Sequence, residues 1–179
     1  MSTIGNCHTS KGLSVREMTI FGFLGALMFV SKQLMEFLPN IHMLGMFTML
    51  FAVVYRVKGL IPIYVFVLLE GLIAGFNIWW IPYLYIWTVL WGVTMLLPRK
   101  LPAKYAVPMY MAVCALHGLC YGTLYAPFQA LAFKMSFQTT LAWIAAGFPW
   151  DCIHAAGNLA MGSLVYPLSK LLLKLERDC

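Results

Sequence analysis

Asp151, His154 and Asn158 follow one another at intervals of three and four residues, which puts them on one face of a helix. A carboxylate, an imidazole and a carboxamide so placed could move a proton, hydrogen-bond a bound molecule, or contribute ligands to a metal ion. Two ligand-type residues three apart make a thin metal site, and no H-E-x-x-H pattern strengthens it, so no metal and no cofactor are expected. Lys32, Glu36, His42, Glu70 and Asn77 are further polar groups in or beside apolar runs, where an ionisable side chain costs roughly 2.5–3.5 kcal/mol unless it is paired or solvated. Trp80, Tyr83, Trp87 and Trp91 share one helical face, and His117, Tyr121 and Tyr125 recur at fourfold spacing. Glu70 and Asp151 suit a positive or hydrogen-donating group, the aromatic faces suit a planar ring, and Lys32 or His154 suit a carboxylate.

Each of these groups also has a plainer reading. Lys32 and Glu36 form an i,i+4 pair that neutralises itself at an interface. The Trp and Tyr stripe is the composition of a lipid-interface belt, and Asp151, His154 and Asn158 would serve as a structural hydrogen-bond cluster between helices. Glu70 has no base in its own apolar run. Sequence signatures of several enzyme classes are missing. Gly162-Ser163-Leu164 does not supply a nucleophile elbow, no paired aspartates form a protease motif, and neither a phosphate-binding loop nor a dinucleotide fingerprint is present. Any use of ATP would fall to a partner. A membrane enzyme with Asp151 and His154 as acid and base is the rival to a non-enzymatic binding protein.

The elements that must position these residues are helices in a membrane. Of the 179 residues 62% are hydrophobic and 10% charged, against about 45–50% and about 25% in soluble domains. Six apolar spans are expected, over residues 16–37, 41–55, 60–76, 80–97, 105–126 and 149–173. They form one substrate-binding domain, 16–173, between short cytoplasmic tails at 1–15 and 174–179. Residues 128–147 read as a loop with a short interfacial helix, and Pro149 as a first-turn proline opening the last span. A seventh span there is the alternative, and would put the termini on opposite sides. Residues 1–15 hold no apolar signal region, and the C-terminal Cys179 does not form a prenylation signal.

Charge sets the orientation. Lys11, Arg16, Arg56, Lys58, Arg99, Lys100, Lys104, Lys170, Lys174 and Arg177 fall on the N-terminal side, and only Lys32 and Lys134 on the other. The positive-inside rule places both termini in the cytoplasm. These cations sit in short clusters between apolar runs and not in one stripe, so the net charge of +6 does not point to nucleic acid. The five cysteines, Cys7, Cys114, Cys120, Cys152 and Cys179, are odd in number and form neither a disulfide framework nor a zinc motif. Lys32, Glu36, His42, Glu70, Asn77, Asp151, His154 and Asn158 all fall toward the outer side, which predicts a polar and aromatic pocket open there and closed toward the cytoplasm.

Three segments carry a resemblance: Thr19-Ile20-Phe21-Gly22-Phe23-Leu24-Gly25-Ala26-Leu27, the aromatic block Phe76-Asn77-Ile78-Trp79-Trp80-Ile81-Pro82-Tyr83-Leu84-Tyr85-Ile86-Trp87, and Gly147-Phe148-Pro149-Trp150-Asp151-Cys152-Ile153-His154-Ala155-Ala156-Gly157-Asn158 followed by Tyr166-Pro167-Leu168. With these, the chain resembles an S-component, the substrate-binding membrane subunit of energy-coupling-factor (ECF) transporters, over nearly its whole length from Arg16. The resemblance implies an all-α, six-helix transmembrane bundle in a bacterial cell membrane, with cytoplasmic termini and a vitamin-sized ligand near the outer face. It also implies a transmembrane coupling subunit and two ATPase subunits as partners, and toppling of the loaded subunit to release substrate inside. Docking would use two small residues four apart in span one. Gly22 and Ala26 occupy those positions, with glycine in place of one alanine usual in the family. The expected substrate-binding residues are Lys32, Glu70, Asn77, Trp80, Tyr83, Trp87, Tyr121, Tyr125, Asp151, His154 and Asn158.

Overall fold

Ser14 opens the first helix with a reciprocal cap. Its hydroxyl accepts the Glu17 amide at 3.1 Å, and the Glu17 carboxylate accepts the Ser14 amide at 3.0 Å, so two of the helix's orphan donors are met locally. The computed structural model describes residues 12–99 and 101–178. The readings of Cys7, Lys11, Lys100 and Cys179, of most of the N-terminal tail, and of the side chains of Arg177 and Asp178 lie outside the described residues. Helices are the regular structure of the described residues, and no strand occurs among them. Its elements are α1 (Val15–Leu34), α2 (Leu44–Tyr55), α3 (Leu60–Ala74), α4 (Tyr83–Leu96), α5 (Ala103–Leu119), α6 (Tyr121–Ala132), α7 (Phe137–Gly162) and α8 (Val165–Asp178). Short 3-10 turns lie at Arg56–Gly59 and Ile78–Trp80.

The core gathers around α2. Every residue from Leu44 to Ala52 is buried, because this helix is apolar on all sides and α1, α3, α4, α5, α7 and α8 pack around it. Its twelve residues extend only ~18 Å, short of the ~30 Å hydrocarbon thickness, so neighbouring helices must supply its surroundings. α1 and α3 approach closely at Gly25, where a Cβ would meet Val65 Cβ at 2.6 Å and the Pro62 carbonyl at 2.8 Å. Three helical stretches, Leu44–Ala74, Ile78–Leu96 and Ala103–Ala132, are long and apolar enough to cross a membrane. Large apolar side chains such as Phe23, Leu34, Ile73, Leu96 and Leu131 stand exposed on the outside, as lipid contact requires of a chain with the build of a helical membrane protein.

Ion pairs mark the two ends of the helix bundle. At one end Lys58 pairs with Glu17, Arg16 lies 3.9 Å from Glu176, and the Tyr55 hydroxyl donates to Glu176 at 3.3 Å. At the other, Lys32 meets Glu70. α1 and α3 therefore run parallel, and the start of α1 lies beside the end of α8.

The structure corrects the reading of residues 128–147 and of Pro149. α6 continues through Pro127 to Ala132, and α7 begins at Phe137 with Pro149 well inside it. The start is set by Ser136, whose hydroxyl accepts the Thr139 amide at 3.2 Å. A proline forfeits one backbone hydrogen bond but is tolerated inside membrane helices, where neighbours offset the loss, and Pro108 and Pro127 sit inside helices in the same way. The far end of the last expected span also differs. The helix breaks at Ser163 and Leu164, and a separate amphipathic helix, α8, runs on through Asp178 where a tail from residue 174 is expected.

Candidate functional site

The chain leaves α1 at Met35 and crosses one end of the bundle before entering α2 at Leu44. Asn40 adopts a left-handed backbone there, with φ of 58°, a conformation that asparagine tolerates better than most residues. This connection walls a cavity of about 200 Å³, lined by Lys32, Met35, Glu36, Leu38, Pro39, Asn40, Ile41, His42, Tyr83, Tyr121 and His154.

Beneath the rim lies a buried ion pair. Glu70 of α3 is fully buried, and its carboxylate accepts from the Lys32 ammonium at 2.9 Å and from the Gln33 side-chain carboxamide at 3.4 Å. The base that Glu70 lacks in its own helix thus comes from α1. Glu36, the expected local partner of Lys32, is an exposed residue on the cavity wall. The charges at depth cancel, and the Lys32 side chain keeps 21% of its surface open.

An aromatic cluster continues inward. The His42 and His154 rings meet edge to face with centroids 4.6 Å apart, and Tyr121 lies 4.7 Å from His154. Trp87, fully buried, packs against His42, Tyr83, His117 and Tyr121. Four ring nitrogens here have no hydrogen-bond partner: His42 Nδ1, Trp87 Nε1, His117 Nδ1 and His154 Nε2. His117 Nε2 lies 3.2 Å from the Ile86 carbonyl and must donate to it, which leaves Nδ1 of a neutral ring as an acceptor. Each unmet buried polar atom costs about 1–3 kcal/mol. Of these four residues, His42 and His154 line the cavity itself.

The expected site residues separate into two groups. Lys32, Tyr83, Tyr121 and His154 line the cavity, Trp87 backs it, and Glu70 holds Lys32. Tyr125 adjoins Tyr121 at 6.3 Å, but its hydroxyl donates to the Trp79 carbonyl. The others are tied elsewhere. Trp80 Nε1 donates to the Val67 carbonyl at 2.7 Å, and exposed Asn77 reaches back to Ala74. Asn158 donates to the Cys114 carbonyl at 3.1 Å in a space left open by Gly45 and Gly118. Asp151 accepts the Gly122 amide with both oxygens, at 3.1 and 3.2 Å, which caps the first turn of α6. Asp151 and Asn158 therefore pin α7 to α6 and α5, and only His154 of that helical face reaches the cavity. The expected site set omits His42, although its place just after Pro39-Asn40, at the outer end of an apolar span, is a signal of a side chain facing that pocket.

Gly22 and Ala26 are half-buried, and nothing lies within 4 Å of where a Cβ on Gly22 would stand. The packed glycine of this helix is Gly25. Among the described residues, no three His, Cys, Asp or Glu side chains converge as metal ligands. Comparisons with protein-family models, with curated proteins and with solved structures find no match.

Proposed function

We propose that this chain is the substrate-capturing S-component of an ECF-type importer in a bacterial cell membrane. The observation that carries the reading is the cavity beside the Lys32–Glu70 pair, walled by aromatic rings and by two imidazoles with unmet nitrogens. It lies at the end of the bundle opposite the basic turn at Arg56–Gly59, so a cytoplasmic basic end leaves it facing outward. The six crossings are α1, α2, α3, α4, α5 with α6, and α7. α8 then lies along the inner surface, and both termini are cytoplasmic.

The substrate is a small water-soluble vitamin or vitamin precursor of the nitrogen-heterocycle type. Tyr83, Tyr121 and the imidazoles offer faces for a planar ring, and a neutral imidazole offers one donor and one acceptor. Because Lys32 and Glu70 neutralise each other, the cavity does not demand a strongly charged ligand. The chain itself is not an enzyme. Asp151, the acid or base of the rival enzymatic reading, is engaged by the Gly122 amide and does not line the cavity. ATP hydrolysis belongs to two partner ATPases, joined through a coupling subunit that docks on the Gly22–Ala26 face of α1, where small residues let another helix approach closely. The test is affinity purification of the tagged chain from its native membranes. Recovery of a coupling subunit and two ATPases is expected, and a chain that carries none of them while retaining its ligand overturns the assignment.

A further inference from the structure

The opposite end of the bundle holds a second candidate site. Two clefts of about 150 and 380 Å³ adjoin there and share Val53, Arg99 and Tyr110 in their walls. Arg56 completes the smaller cleft, and Tyr166 and Lys170 of α8 contribute to the larger. Neither lining includes an acidic side chain. Ion pairs among the described residues engage Arg16, Lys32 and Lys58, and leave the three cations of the clefts without a carboxylate. Arg56 is the most constrained of the three. Its backbone holds a φ of 56°, one guanidinium nitrogen donates to the Met95 carbonyl at 3.1 Å, and its buried Nε has no acceptor. A fixed guanidinium with an unmet N–H, an exposed guanidinium shared by both clefts and an exposed ammonium in the adjoining one are the kinds of donor a phosphate group selects.

We infer that these clefts bind a phosphate-bearing anion, the headgroup of an acidic phospholipid. A soluble phosphate ester presents the same chemistry. The lipid source is favoured by α8, whose amphipathic length forms one wall and carries exposed Leu171 and Leu175. Acyl chains would lie along such a helix with the headgroup at the cations, as in basic pockets between membrane helices. This inference does not depend on what the cavity at the other end binds.

The experiment uses the full chain in detergent, titrated with phosphatidylglycerol or phosphatidylcholine, with bound lipid counted by native mass spectrometry. Wild type should hold phosphatidylglycerol about tenfold or more tightly than phosphatidylcholine. Arg99→Gln with Lys170→Gln should abolish that preference. Lys104→Gln, which removes a charge at the same end but outside both clefts, should keep it, as should Arg99→Lys with Lys170→Arg. Inorganic phosphate separates the two sources. Preference for phosphatidylglycerol that survives millimolar phosphate upholds the lipid site, and phosphate binding without lipid preference, lost in the double glutamine variant, upholds an anion site for soluble esters. A wild type that binds neither, or a double glutamine variant that binds like wild type, overturns the inference.

Discussion

The Lys32 ammonium of α1 and the Glu70 carboxylate of α3 meet 2.9 Å apart, with Glu70 fully buried and Lys32 still open to the cavity. The two sides of this pair are therefore unequal. Removing Lys32 leaves a buried carboxylate with only the Gln33 side-chain carboxamide at 3.4 Å, whereas removing the charge of Glu70 leaves an ammonium that can turn toward water. Lys32→Met should cost ~3–5 kcal/mol, the usual cost of stranding a buried charge, and Glu70→Gln about 1–3 kcal/mol. Thermal melts of the two variants without ligand check the order, and equal costs would contradict the asymmetry.

Asp151 is predicted to act on stability. Asp151→Ala removes the cap on α6 and should lower stability by ~1 kcal/mol, while Asp151→Asn, whose carbonyl can still accept the Gly122 amide, should recover much of the loss. In both variants the ligand-induced shift in melting should persist. A lost shift with unchanged melting of the empty protein would return Asp151 to the binding site.

These two carboxylates show what could be read from the sequence. Their oddity was legible, because an acidic residue in an apolar run needs a partner wherever it lies. The partners were not. Spacing along a helix reveals only neighbours three or four residues away, so it offers Glu36 to Lys32 and His154 to Asp151. The structure supplies Glu70 and the Gly122 amide, from 38 and 29 residues away in the chain. The helical character and the first four apolar segments were legible to within a few residues, since apolar runs and basic turns write them plainly. The α6–α7 region was not, because Pro149 looks like a helix start by local rules, and the weaker signal of Ser136 as a cap sets the true one. Clustering of His154, Tyr121 and Tyr83 at one end was readable from depth along each span. Which side of each helix faces the cavity was not, and Asn77, Trp80 and Asn158 turned out to be bonded elsewhere.

Neighbouring glycines of α1 should respond in opposite ways. Gly25→Leu would drive a side chain into Val65 and Pro62, so the protein should melt lower and accumulate poorly. Gly22→Leu meets open space and should leave the melting point and ligand binding intact while blocking association with the proposed coupling subunit. Melting curves paired with co-purification separate the two. A Gly22→Leu protein that still assembles would move the docking face elsewhere.

The proposed six crossings set the expected topology. A reporter inserted at Lys134, in the turn between α6 and α7, should report the outside, and one fused after Cys179 the cytoplasm. Both reporters on one side would mean that α7 does not cross.

Ligand capture by the cavity is tested most directly by native mass spectrometry of the protein purified from its own membranes, beside His42→Ala and His154→Ala. Both side chains line the cavity, so each change should weaken a retained ligand by about 1–3 kcal/mol, roughly five- to 150-fold in affinity. The wild-type chain should carry one small molecule, identifiable after release as a nitrogen heterocycle and depleted in both variants. A wild-type chain that carries no small molecule, or one retained equally by both alanine variants, would contradict it.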